Sequence, residues 1–70
     1  MKSEQTITLN GQQHSIPSGI TISELLQMLE FPKTGVAVAV NLDVIPHSQH
    51  IHFELPADAR VEVIRAVGGG

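Results

Sequence analysis

At 70 residues and 7.5 kDa the chain has room for one small domain, not for separate catalytic and substrate domains. Its 41% apolar and 16% charged content is that of a folded protein, and four bases against seven acids, net −3, exclude the basic footprint of a nucleic-acid binder. The count of zero cysteines excludes disulfides, thiolate metal sites and a cysteine nucleophile. In chain order, Thr6-Ile7-Thr8-Leu9 alternates polar and apolar with the period of a strand, and Asn10-Gly11 follows at once. Both of those residues tolerate the positive φ of a type I′ turn, so a hairpin is expected, with its return strand over Gln12–Ile16 broken by Pro17-Ser18-Gly19.

Thr21-Ile22-Ser23-Glu24 has the form of a capping box, in which the Thr21 hydroxyl and the Glu24 carboxylate each satisfy the other's backbone N–H. Ile22, Leu25, Leu26 and Leu29 then recur on one face of a helix of two to three turns, which Pro32 is expected to close. Val36-Ala37-Val38-Ala39-Val40 is a strand apolar on both faces, as suits an interior strand or one that also meets a partner. Asn41-Leu42-Asp43 supplies a turn, and Val44-Ile45 a short strand ended by Pro46. His47 to Asp58 reads as irregular, held by the apolar residues Ile51, Phe53 and Leu55. A last strand over Arg60–Ala66 puts Val61 and Val63 on one face, with Ile64 and Ala66 opposite, before Val67 and three glycines.

Hairpin, helix, strand, short strand, loop and strand bury both apolar stripes only if the helix packs across one face of a mixed sheet. The expected class is therefore α+β, a roll of the β-grasp type, with a single domain over 1–66 and a flexible glycine tail over 67–70. No run approaches the ~18 apolar residues of a membrane span, and Met1-Lys2-Ser3-Glu4-Gln5 is too polar for a signal-peptide core, so a cytoplasmic protein with no membrane partner is expected. With no Trp or Tyr, stacking on nucleic-acid bases is not expected either.

Three glycines have no side chain to pack and lose the most backbone entropy on ordering, so Gly68, Gly69 and Gly70 should be mobile and exposed. Two readings fit. One is a frayed end. The other is an arm narrow enough to thread a channel in a partner and deliver the Gly70 carboxylate to a distant active site. The position directly after the last strand of a compact domain favours the second.

The order and spacing of these segments resemble the ThiS family, the ubiquitin-like β-grasp sulfur carriers of thiamine biosynthesis. The matching residues are Asn10-Gly11, Thr21-Ile22-Ser23-Glu24-Leu25-Leu26, Gly35-Val36-Ala37-Val38-Ala39-Val40-Asn41, Val44-Ile45-Pro46, and Val61 through Gly70. Leu42 departs from the family pattern, which commonly has a turn glycine there, and Ala57-Asp58-Ala59 replaces the usual Asp-Gly-Asp-like turn. Asp58 can take left-handed φ at modest cost. The few extra polar residues at the N-terminus are expected to be disordered.

The resemblance implies a protein-borne co-substrate with no catalytic residues and no permanently bound cofactor. An E1-like adenylyltransferase, using ATP and Mg²⁺, would join Gly70 to AMP. Sulfur from a donor enzyme's persulfide would then displace AMP and leave a thiocarboxylate for thiazole synthase, with Gly68 and Gly69 threading the active sites. Ala37, Ala39 and Ile64 fit two readings: a docking patch on the sheet face away from the helix, or the completion of a small core. Arg65 suits an acidic partner surface or simple solubility. His47, His50 and His52, with His14 elsewhere, lack the cysteines and the four well-spaced ligands of a structural zinc site and read as surface histidines; no metal is expected. The rival readings are a carrier of another sulfur pathway, such as a molybdopterin synthase small subunit, a ubiquitin-like modifier of lysines, and a plain interaction domain.

Overall fold

The computed structural model describes residues 3–32 and 34–65. Ala66 and Gly68 to Gly70, on which the end of the last strand and the tail were placed, lie outside the described residues. The chain forms strands β1 (Glu4–Leu9) and β2 (Gln12–Pro17), helix α1 (Ile22–Met28), strands β3 (Val36–Val40) and β4 (Asp43–Ile45), a 3-10 turn (His47–Gln49) and strand β5 (Arg60–Arg65). The strands make one sheet in the order β2-β1-β5-β3-β4; β1 and β5 run parallel and every other neighbouring pair antiparallel. One helix against a mixed five-stranded sheet is the expected β-grasp arrangement.

The inner face carries Ile7, Leu9, Ile16, Val38, Val40, Ile45, Val61 and Val63, closed over by Ile22, Leu25 and Leu26 of α1. The capping box forms as the sequence specifies: Glu24 N–H donates to Thr21 Oγ1 at 3.2 Å, and Thr21 N–H to Glu24 Oε1 at 2.9 Å. The helix stops before Pro32 acts. Phe31 N–H donates back to the Leu26 carbonyl and Glu30 N–H to that of Gln27, a Schellman closure that holds Glu30 at φ 62°.

Three other boundaries move, and one expected core residue does not hold. β1 begins at Glu4, two residues before the alternation that starts at Thr6, and Gln5 Nε2 donates to the Leu55 carbonyl at 2.9 Å. Pro17 extends β2, opposite Glu4, because β2 is an edge strand and needs no outward N–H there. Asp43 joins β4 opposite Val40. Ile51 is no core residue, at 64% exposed; Leu55 and Phe53 hold that segment as expected, and the buried His50 joins them.

Candidate functional site

Alternation along β5 and β3 divides the sheet into two surfaces. Val61 and Val63 face α1, so Glu62 and Ile64 face away; Val38 and Val40 face α1, so Ala37 and Ala39 face away. Register then brings the outward residues together. Ala37 lies opposite Ile64, Ala39 opposite Glu62, and across the next ladder Ala39 lies opposite Val44. Ile64 is 65% exposed and Val44 73%. Ala37, Ala39 and Ile64 thus form one apolar surface and not part of the core, and Val44 belongs to it. The short β4 gives no sign in sequence of which of its faces is wet; the register supplies it. Glu62 sets one exposed carboxylate in the middle of this surface.

Arg65 is exposed but is not part of that surface. It pairs with Val36, one residue out of phase with Ile64, and so turns to the other side of the sheet. A shallow groove of about 490 Å³, lined by Thr34, Gly35, Val36, Ala37, His47 and Ile64, lies beside the start of β3, where β5 ends.

Two asparagines fix β5. Asn10, the first residue of the β1–β2 turn, accepts from Val63 N–H at 2.9 Å through Oδ1, and its Nδ2 donates to the Val63 carbonyl at 3.3 Å. Its amide thereby continues the parallel ladder one step beyond the last paired residues, Leu9 and Val61. Asn41, at the β3–β4 turn, accepts from Arg60 N–H at 2.9 Å and donates its own N–H to the Arg60 carbonyl at 2.8 Å. Sequence pattern marks both as turn formers; that their side chains also lock β5 follows only from its parallel pairing with β1 and its antiparallel pairing with β3.

The three histidines of this segment differ in their surroundings. His50 is 3% exposed, and since a carbonyl only accepts, its Nε2–H donates to Ile45 O at 3.0 Å. Its own carbonyl accepts from Ser23 N–H, tying the 3-10 segment to the first turn of α1. His50 is therefore a core residue, contrary to its reading as a surface group; it follows directly on the 3-10 turn His47–Gln49, and an irregular segment carries no periodicity that marks which side chain turns inward. The His47 ring stacks obliquely on it, centroids 5.2 Å apart at 58°, while His52 is exposed. Among the described residues, no three His, Asp or Glu side chains gather as metal ligands would, and no helix is long and apolar enough to cross a membrane.

A sequence model of the ThiS family matches residues 4–70. Over 64 residues the chain is 27% identical to the sulfur carrier protein ThiS of Escherichia coli, covering 91% of this chain and 97% of that one. It is 36% identical over 64 residues to a thiazole synthase of Magnetococcus marinus and 27% to one of Paramagnetospirillum magneticum. Those matches cover 91% of this chain but only 20% of each synthase, so the chain spans about a fifth of their length. In fold it is similar to the crystal structure of a thiamine biosynthesis protein ThiS from Geobacter metallireducens, with a TM-score of 0.81, 23% identity, and coverage of 94% of this chain and all of that one.

Proposed function

Because the chain belongs to the ThiS family, we propose that it is a sulfur carrier of thiamine biosynthesis whose reacting group is the carboxylate of Gly70. The observation that carries this reading is the match to a sulfur carrier along 97% of that protein's length, within a family match that runs through Gly70. In this reading residues 1–66 are the carrier domain, residues 67–70 the arm, and catalysis belongs to the partners.

A carboxylate is a poor electrophile because its oxygen is a poor leaving group. An E1-like adenylyltransferase, holding ATP and Mg²⁺, removes that barrier: a Gly70 carboxylate oxygen attacks the α-phosphorus of ATP, expelling pyrophosphate and leaving an acyl adenylate. The terminal sulfur of a donor enzyme's persulfide attacks the acyl carbon and expels AMP. A second thiol cleaves the resulting acyl disulfide at its S–S bond, taking the donor's sulfur into a new disulfide and releasing the thiocarboxylate. Thiazole synthase then receives that sulfur, all in the cytoplasm. Gly68 and Gly69 let the arm enter each site without side-chain clash. From Arg65 to Gly70 an extended chain reaches about 17 Å at ~3.3–3.6 Å per residue, so each enzyme must dock near the end of β5. Ala37, Ala39 and Ile64 lie there, and we assign them to contact with the adenylyltransferase; Arg65, on the other side, meets its rim.

The test is ATP–pyrophosphate exchange by the adenylyltransferase. Exchange should depend on the chain and vanish when Gly70 is deleted, while the truncated chain still inhibits exchange by the intact one. Undiminished exchange with the deletion would remove the Gly70 carboxylate from the reaction.

A further inference from the structure

The two hairpin turns of this molecule have the same geometry and different residues. Asn10 and Gly11 take φ of 48° and 82°; Asn41 and Leu42 take 51° and 74°. Each is a two-residue connection, closed by Leu9 opposite Gln12 in one case and by Val40 opposite Asp43 in the other. Glycine is the residue this geometry favours at the second position, and the first turn has it. The second turn instead holds a branched aliphatic side chain in left-handed backbone, and that side chain is 74% exposed. Leu42 therefore carries backbone strain and, at that exposure, little burial within the fold to offset it. A local rule broken without an internal gain points to a contact outside the chain.

Leu42 is at the tip of the hairpin that carries Val44, at the far end of the apolar surface from the arm. Val36 pairs with Arg65 and Val40 with Val61, so roughly 15–20 Å of strand, at ~3.3 Å per residue, separates Leu42 from the point where the arm leaves. An enzyme acting on the arm must cover the Ile64 end; only one that also reaches the hairpin tip touches Leu42. Such a two-ended grip fixes the direction in which the arm is presented, which is how binding energy far from a reacting atom positions it.

We propose that Leu42, with Val44 beside it, is a specificity contact for thiazole synthase, seated in an apolar pocket of that enzyme and not of the adenylyltransferase. The occupant is chosen from the relatives: in two thiazole synthases a segment like this chain forms a fifth of the polypeptide itself, so the carrier domain and the synthase are partners close enough to be one molecule. The proposal rests on the sulfur-carrier reading.

The experiment uses the whole chain with Leu42→Gly and with Leu42→Asn, which keeps a residue tolerant of left-handed φ while removing the apolar group. Three quantities are read: the Kd for thiazole synthase, the fraction converted to thiocarboxylate by the adenylyltransferase and sulfur donor, and the Tm. Both variants should bind the synthase about ten- to a hundredfold more weakly, the scale of one aliphatic side chain left unburied. Conversion should be unchanged, and the Tm of the glycine variant should not fall. Synthase affinity within twofold of the unsubstituted chain would overturn the proposal, as would an equal loss of conversion, which would give Leu42 to the adenylyltransferase. If the unsubstituted chain neither binds the synthase nor takes up sulfur, the carrier reading itself fails and this one with it.

Discussion

His50, Leu42 and Glu30 are the residues whose behaviour sequence pattern does not foretell, and each makes a measurable demand on stability. His50 is buried and its ring N–H satisfies Ile45 O. His50→Ala removes that hydrogen bond and leaves a void, at a cost of about 2–4 kcal/mol, read by urea denaturation; a change under 0.5 kcal/mol would mean that the ring is not part of the core. Leu42 and Glu30 both sit in left-handed backbone, at φ of 74° and 62°. That conformation costs an L side chain about 1–2 kcal/mol, of which glycine's extra freedom in the unfolded chain takes back about 0.5–1. Leu42→Gly and Glu30→Gly should each therefore gain up to about 1.5 kcal/mol, raising Tm by a few degrees in a domain of this size. A fall in Tm for Leu42→Gly would show that the leucine packs within the fold and would weaken the case for an external contact.

At the scale of elements, what is local in the chain was legible and what depends on distant pairing was not. The Asn10-Gly11 turn, the Thr21–Glu24 capping box and the alternation of Val38 and Val40 with Ala37 and Ala39 each follow from residues a few positions apart, and the structure holds them as expected. The helix face was equally readable, with Ile22, Leu25 and Leu26 buried. Leu26→Ala should therefore destabilise by about 2–5 kcal/mol, and Thr21→Ala by about 1 kcal/mol through loss of the cap. An unchanged melting curve for the first would misplace the helix face. The helix end is less legible, because Pro32 is visible in sequence and a Schellman closure on a glutamate is not. The 3-10 turn at His47–Gln49 carries no periodic signature long enough to detect. The second role of Asn10 needs the knowledge that β5 lies parallel to β1, some 50 residues away. Asn10→Ala removes a turn former and two hydrogen bonds to Val63. It should cost about 2–3 kcal/mol, and faster amide exchange at Val63 would locate the loss on β5.

For the whole molecule, the proposed function divides between the sheet and the residues that follow it in sequence. The sheet presents Ala37, Ala39, Val44 and Ile64 on its open face. Of this site, the outward residues of β3 and β5 were readable from alternation, whereas Val44 and the divergence of Arg65 came from register. The chemistry assigned to Gly70 rests on the family, and it is open to a direct check. The decisive measurement is intact mass of the chain after incubation with ATP, Mg²⁺, a cognate adenylyltransferase and a persulfide donor, followed by a thiol. A sulfur carrier gains the mass of one sulfur in place of one oxygen, located at Gly70 by fragmentation and absent without ATP. An unchanged mass, with the same enzymes active on another carrier, or conjugation of the chain to lysines instead, would contradict the account.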